Sequence, residues 1–172
     1  MACEVCDMIQ RGAKKIYEDE KAIAMLSTRP ASVGHILVAP KQHFPILEQA
    51  PDFLVAHLFS IVNKMSMVVF EVLRVQGTNV ILTNGVAAGQ RYNHLIINII
   101  PRTQNDGLSF NWNPKQLTEE EMSTVELELK EQAKNIGGFE KEPQKPVEIK
   151  AEREVISDDE ENYLIRQLRR IP

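Results

Sequence analysis

The feature of this sequence that most constrains its fold is a long apolar segment with helical periodicity, flanked on both sides by short strand-like runs. Between residues 52 and 75 the apolar side chains recur every three or four residues, as one face of a helix requires; they are Leu54, Leu58, Ile61, Met65, Val68, Val69 and Val72. We predict that Asp52 caps this helix and that Gly77 ends it. The chain therefore combines one long helix with several strands.

Five short runs have the composition and the bounding turns of strands. They are residues 15–18, 22–26, 34–40, 78–83 and 94–100. The first two flank a turn at Asp19-Glu20, and Pro40 closes the third. A loop from Asn84 to Gln90 joins the last two.

The last third of the chain differs in charge and pattern. Residues 1–112 carry 10 basic and 9 acidic side chains, whereas residues 113–172 carry 10 basic and 15 acidic ones. We therefore predict one domain over 1–112 and a helical extension with a linker over 113–172. Its first helix follows a capping box at Thr118–Glu121 and stops at Gly137-Gly138; the apolar stripe is Met122, Val125, Leu129, Ala133 and Ile136. A second capping box, at Ser157–Glu160, opens a final helix with the stripe Leu164, Leu168 and Ile171.

Composition excludes several classes of protein. An apolar fraction of 43% and a charged fraction of 26% are typical of a soluble globular protein. The longest apolar runs are too short to span a bilayer and the N-terminus lacks a signal-peptide pattern, so we expect neither a membrane nor a secreted protein. Two cysteines cannot build a disulfide scaffold, which favours the reducing cytoplasm. The charge distribution gives no basic face for nucleic acid.

Three motifs carry the candidate chemistry. Cys3 and Cys6 form a C-x-x-C pair, which is typical of a metal-binding knuckle or of a redox pair. The second motif, GHILVAPKQH, holds two histidines eight residues apart. The third, NGVAAGQRYNHLIINIIPR, is a loop that leads into a strand of alternating pattern.

Together these motifs, in this order, resemble the histidine-triad (HIT) superfamily of nucleotide hydrolases and transferases, over residues 3–103. The expected fold is α+β: an antiparallel sheet of about five strands with the long helix packed on it, followed here by C-terminal helices. The resemblance also implies a homodimer, formed through that helix and an edge strand. The C-terminal helices are expected to cover the second subunit or the nucleotide cleft, or to bind another protein.

The resemblance implies a strand with three histidines on one face, the middle of which attacks the α-phosphorus of a nucleotide. In this chain the three positions hold His94, Ile96 and Asn98. Isoleucine has no lone pair with which to attack phosphorus, so we assign no catalytic residue. Loss of a covalent nucleophile lowers turnover by as much as about 10⁶-fold in a hydrolase studied by mutation.

The same resemblance implies a metal site at Cys3, Cys6, His43 and His94. Two thiolates and two imidazoles suit a closed tetrahedral site for structural zinc, with no open catalytic position. His94 is then retained as a zinc ligand, and an ordinary thiol or redox role for the C-x-x-C pair is the weaker alternative.

Six residues match positions that line the nucleotide pocket in the family: Ser27, His35, Asn84, Gln90, Arg91 and Asn98. Ser27 stands where the family usually has Asp or Asn to bind the ribose hydroxyls. Arg91 replaces a small hydroxyl residue and can bind phosphate by its charge. For Asn84 and Gln90 the better interpretation is that they hold their loop by side-chain to backbone hydrogen bonds. His57, on the apolar helix, is interpreted as structural.

Two functional hypotheses follow. The first is a catalytically impaired or inactive protein with structural zinc that binds a nucleotide, for instance a purine nucleotide, or another protein. The second is a divergent hydrolase or nucleotidyltransferase that acts on nucleoside phosphates through water or another residue.

Overall fold

The structure is a computed structural model and describes residues 3–143 of the chain. Its helices and strands are, in chain order, α1 (Glu4–Arg11), β1 (Lys15–Glu18), β2 (Ala22–Leu26), β3 (Ile36–Pro40), α2 (Asp52–Leu73), β4 (Gly77–Leu82), β5 (Ile97–Arg102) and α3 (Glu119–Ala133). Short 3-10 turns precede α2 and lie in the loop between β4 and β5. The final helix predicted from Ser157 onward lies outside the described residues.

The five strands form one sheet in the order β1-β2-β3-β5-β4, and every neighbouring pair is antiparallel. Strand β5 is central, because Asn98 lies opposite Leu37 of β3 on one side and Ile81 of β4 on the other. The predicted α+β fold, with an antiparallel five-stranded sheet, is confirmed.

Helix α2 packs on one face of this sheet, and its buried residues are Leu54, Leu58, Ile61, Val62 and Val69. They contact the strand residues that point to the same side, such as Val38, Ile97 and Ile99. Alternate strand residues point to the opposite face, where Met25, Leu37 and Ile96 form a second apolar cluster. Ile96, directly before β5, and Asn98, within it, therefore lie on the face away from α2.

The ends of α2 differ from the prediction. Asp52 is the first helical residue and Pro51 precedes it as the cap, without a side-chain hydrogen bond. The helix ends at Leu73 because Arg74 adopts a left-handed backbone conformation with φ of 51°. Gly77, expected to end the helix, begins β4 instead.

The sequence interpretation missed α1, which begins directly after Cys3. Val5 of this helix is fully buried and packs on the sheet face opposite α2, beside Leu37 and Ile96. Both faces of the sheet are thus covered near the C-x-x-C pair. Strands β3 and β5 begin later than expected, so His35 and His94 lie in the segments that enter these strands.

Helix α3 has the predicted capping box: the Glu121 N–H donates to the Thr118 hydroxyl, and the Thr118 N–H donates to the Glu121 carboxylate. The helix ends at Ala133, before Gly137-Gly138. No residue of α3 is buried, and Leu129 of its apolar stripe is 65% exposed. The boundary near residue 112 stays a prediction.

Helix α2 is the one helix of residues 3–143 with the length and apolar composition to cross a membrane, with a mean hydropathy of 1.7 over its best window. From the sequence we expected every apolar run to be too short to cross a membrane. Core helices of water-soluble proteins have the same length and composition, and α2 packs its buried side chains on the sheet. We therefore treat α2 as a core helix.

Candidate functional site

Cys3, Cys6, His43 and His94 come together at one end of the sheet. Their ligand atoms all lie within 4.8 Å of one another. His94 Nδ1 is 3.5 Å from Cys3 Sγ and 3.6 Å from Cys6 Sγ, and His43 Nδ1 is 3.6 Å from Cys6 Sγ. Four residues from three separate segments thus form one cluster that is close enough to bind a metal ion.

Local structure explains why these four side chains converge. Cys3 caps α1 and Cys6 lies three residues later, so both thiols lie on the same side of the first helical turn. His43 follows β3 in a turn, and His94 precedes β5. His94 is 1% exposed, and its Nε2–H donates to the Pro40 carbonyl oxygen at 2.9 Å. This bond leaves Nδ1 unprotonated and directed at the sulfurs, as a metal-ligating histidine requires.

The electrostatics of the cluster agree with this role. Burial lowers the pKa of His94 and so favours the neutral imidazole that binds metal. Burial, followed by the hydrogen bond and charge of Cys3, raises the pKa of the Cys6 thiol when no metal is bound. A divalent cation would replace those thiol protons. The donor set of two thiolates and two imidazoles fits a closed tetrahedral zinc site.

A cavity of about 320 Å³ lies next to the cluster, on the sheet face opposite α2. Alternate residues of the β5 segment form its floor, namely Ile96, Asn98 and Ile100, with Leu37 on one side and Ile81 on the other. Ile96 is 7% exposed and belongs to the apolar cluster around Val5. The position expected for a nucleophilic histidine therefore presents a hydrocarbon surface to the cavity.

His35 and Asn98 pair across this floor. The Ala31 N–H donates to His35 Nδ1 at 3.0 Å, so the ring proton is on Nε2, which donates to Asn98 Oδ1 at 3.1 Å. Asn98 Nδ2 in turn donates to the Ile81 carbonyl oxygen at 3.1 Å. Burial lowers the pKa of His35, which keeps this imidazole neutral. Both ring nitrogens of His35 are thus engaged within the protein.

Of the other predicted nucleotide-pocket residues, some line the cavity and one does not. Ser27 and Arg91 line the cavity with His35 and Asn98. Gln90 also lines it, but its amide binds backbone: Oε1 accepts from the Gly85 N–H, and Nε2 donates to the carbonyls of Pro45 and Tyr92. The side chain of Gln90 therefore fixes the loop around it.

Asn84 is not among the residues that line the cavity. Its Oδ1 accepts from the Leu47 N–H at 3.0 Å, and its Nδ2 donates to the Glu48 carboxylate. These bonds tie the β4–β5 loop to the turn before α2. For both amide residues the contacts agree with the loop-holding interpretation.

Sequence reasoning did not identify Arg29, Tyr92 and Phe110, which also line the cavity. Arg29 was detectable in principle, because it lies in the same loop as Ser27. Phe110 was not, because it follows β5 and is held at the cavity by Arg102. The Arg102 guanidinium stacks on its ring at 5.3 Å and donates to the Leu108 carbonyl oxygen.

The charge of the cavity has one sign. Arg29 and Arg91 line it, and no aspartate or glutamate of residues 3–143 does. His57 lies elsewhere, with Nε2 2.7 Å from the Asp19 carboxylate, which agrees with its structural interpretation. An apolar floor with positive charge at its margin suits an organic anion.

Comparison with known proteins agrees with this architecture. The family model described as "HIT domain" matches residues 10–105. Among curated relatives, the adenylylsulfatase HINT3 of Arabidopsis thaliana is 38% identical over 108 residues, which are 62% of this chain and 55% of that protein. The chain thus spans about half the length of this relative.

Two solved structures show the same fold. A member of the HIT family from Bacillus subtilis superposes with a TM-score of 0.70 at 29% identity, covering 80% of this chain and 99% of that one. A zinc-bound histidine triad family protein from Mycobacterium smegmatis superposes with a TM-score of 0.60 at 31% identity, covering 78% of this chain and 97% of that one.

Proposed function

This chain belongs to the HIT domain family, and on that premise we propose that it is a nucleotide-binding member with a structural zinc site and severely impaired nucleotidyl transfer. The observation that carries the proposal is the position of Ile96 in the cavity floor. This side chain offers neither a lone pair nor a titratable proton at the place where the family mechanism needs a nucleophilic imidazole.

No neighbouring group replaces the missing nucleophile. His35 is the other imidazole on the cavity floor, and its two nitrogens are engaged by Ala31 and Asn98. His94 directs Nδ1 at the sulfurs and Nε2 at Pro40. Among the residues that line the cavity, binding therefore has stronger support than covalent catalysis.

A nucleoside phosphate is the ligand class that the cavity supports best. Its volume of about 320 Å³ is at the lower end of the range typical of small-molecule sites. Its apolar floor and the rings of Tyr92 and Phe110 suit a base, and the two arginines suit phosphate. The name of the Arabidopsis relative, an adenylylsulfatase, indicates a nucleotide substrate for that protein.

Structural zinc is the second part of the proposal, with Cys3, Cys6, His43 and His94 as its ligands. Bound there, the ion would join the start of α1 to the turn after β3 and to the entry of β5. The zinc-bound relative from Mycobacterium smegmatis supports this choice of metal. A closed shell of four protein ligands leaves the ion a structural role.

The alternative is a divergent hydrolase or nucleotidyltransferase for nucleoside phosphates. The observation in its favour is the relative at 38% identity whose name is that of an enzyme. In this case an activated water would replace the histidine nucleophile, and Arg91 would bind the phosphate.

Turnover and binding measurements on the full chain test the proposal. We expect adenosine nucleotides to raise the melting temperature by mass action, with little or no turnover of adenosine 5′-phosphoramidate and dinucleoside polyphosphates. Turnover at rates ordinary for an enzyme, and its loss in H35A, would establish the alternative. A matched H57A variant controls for loss of a histidine away from the cavity. Absence of nucleotide binding would refute the proposal itself.

We also propose a homodimer and a cytoplasmic location. Three apolar side chains on one face of α2 are largely exposed: Phe59, Met67 and Phe70 at 43%, 57% and 53%. Strand β4 is an edge of the sheet and exposes Val80. A second copy would cover both surfaces. The exposed stripe of α3 is a second surface on which a second copy or another protein could pack.

A further inference from the structure

The two arginines of the cavity enter it from opposite ends. Arg29 lies in the connection from β2 to β3, and Arg91 lies in the connection from β4 to β5. Strands β3 and β5 are antiparallel, with Ile36 opposite Ile99 and Val38 opposite Ile97. The N-terminal end of β3 therefore lies beside the C-terminal part of β5. The two connections therefore flank the β5 floor at its two ends.

The floor between them runs from Ile96 to Ile100, which corresponds to about 13 Å of extended chain. An arginine side chain reaches several ångströms from its backbone, so the two guanidinium groups can contact separate parts of one small ligand lying along β5.

Neither guanidinium has a partner among residues 3–143. The structure gives Arg29 and Arg91 no side-chain hydrogen bond or ion pair with another described residue, although Arg102 is paired with Asp106. The Arg29 backbone is nevertheless fixed, since its N–H donates to the Ser27 hydroxyl at 3.2 Å. Two cations without such partners line one cavity, and no carboxylate of the described part of the chain lines it.

Three other polar side chains of the cavity lining are already engaged within the protein, and Arg29 and Arg91 are the charged groups among the described lining residues. Both nitrogens of His35, the amide of Asn98 and the amide of Gln90 are engaged within the protein. Ser27, at the Arg29 end, is neutral and short, so a phosphate there meets no negative charge. Phosphate bound by arginine makes charge-assisted, frequently bidentate hydrogen bonds.

On the basis of the proposed function, we infer that the cavity selects a nucleotide with two separated phosphates, one on the 5′ carbon and one on a ribose hydroxyl, each held by one of the two arginines. A nucleoside 5′-monophosphate engages one arginine at a time. A nucleoside 5′-diphosphate carries its two phosphates side by side and places both at one end of the floor.

Binding constants of the full chain for adenosine nucleotides test this inference. We expect adenosine 3′,5′-bisphosphate or its 2′,5′ isomer to bind about tenfold or more tightly than adenosine 5′-monophosphate, and more tightly than ADP. Because each arginine holds one phosphate, R29Q and R91Q should each reduce the ratio of the bisphosphate affinity to the monophosphate affinity toward one. R74Q, which removes an exposed arginine outside the cavity, should keep the wild-type ratio.

The outcomes separate this inference from the function on which it rests. Binding of monophosphate, diphosphate and bisphosphates with the same affinity would overturn the inference and leave nucleotide binding intact. ADP binding as tightly as both bisphosphates would also overturn it, since the effect would then follow total charge. Binding of none of these nucleotides would overturn the proposed function, and with it the inference. If the ratio of bisphosphate to monophosphate affinity were unchanged in both R29Q and R91Q, the second phosphate would bind elsewhere. This would contradict the assignment of one phosphate to each arginine.

Discussion

Ile96 and Asn98 differ from the family pattern in different ways. Ile96 removes the reactive atom and joins the apolar cluster around Val5, so it also adds to the packing of the core. Asn98 keeps a polar side chain, but both ends of its amide are used, by His35 and by the Ile81 carbonyl. The proposed loss of reactivity would therefore involve a network of side chains and more than one residue.

At this scale we predict that I96H alone does not restore the turnover expected of an active family member. The new imidazole would face a His35–Asn98 pair that is already satisfied, and positioning accounts for much of an enzymatic rate. Hydrolysis of adenosine 5′-phosphoramidate is the measurement, with I96V as the control that keeps the floor apolar. Rates typical of the family in I96H would mean that position 96 is the sole defect.

Besides the contacts of Asn84 and Gln90, two sets of polar contacts among residues 3–143 join elements around the sheet. At one end, the Cys and His cluster connects α1 to two loops. At another, the Asp19 carboxylate in the β1–β2 turn accepts from the N–H groups of Lys21 and Ala22 and from the Tyr17 hydroxyl, and it contacts His57 of α2. The first set holds α1, whose buried residue is Val5, and the second holds the turn after β1, a strand with no buried residue.

We predict that the chain purifies with about one zinc ion per molecule and that the double replacement C3A and C6A removes it. A bound ion would hold α1, an eight-residue helix with Val5 as its buried residue, so its loss should lower the melting temperature. Elemental analysis and thermal unfolding are the measurements, and E4Q, a change at a non-ligand position of the same helix, is the control. Unchanged zinc content in the double variant would refute the site.

A second prediction concerns Asp19. Partial burial alone would raise the pKa of this carboxyl, but the N–H donors of Lys21 and Ala22, with His57 and Tyr17, together lower it to about 2. Since the unfolded value is near 4, the carboxylate stabilises the fold above about pH 4, and this contribution is lost as pH falls toward 2. It amounts to about 1–2 kcal/mol after solvent screening.

Denaturant unfolding of wild type and D19N checks this. The difference in free energy of unfolding should be present at pH 7 and shrink below pH 4. A difference that stays constant down to pH 2.5 would show that the charge of Asp19 contributes nothing. E71Q, at an exposed position of α2, is the control for a change of charge.

For the whole molecule, α2 carries a group of large apolar side chains that are exposed. Phe59, Met67 and Phe70 lie on the side of α2 away from its buried stripe, and burial of each is worth about 1.5–3 kcal/mol. The exposed stripe of α3 adds to this surface, because a single helix of this length is marginal in water without packing. Association would remove these surfaces from water.

We predict that the full chain is a homodimer and that F70E dissociates it, because the new carboxylate would be buried without a partner. Light scattering after size-exclusion chromatography measures the mass. I16E, which puts the same charge on an exposed apolar position of the opposite edge strand β1, should stay dimeric. A monomeric wild type, or dissociation by both variants to the same extent, would contradict the proposed interface.

Local patterns in the sequence predicted the strands, the long helix and the capping box of α3, because periodicity and capping motifs are local properties of the chain. The four Cys and His residues of the candidate metal site came from the resemblance to the HIT superfamily. Tertiary structure alone decided that Arg74 ends α2, that Asn98 binds His35 and that Arg29 and Phe110 reach the cavity. These contacts depend on the register of β3, β5 and β4 and on the course of the loops. Register and loop course are set by packing between distant segments, which no local pattern records.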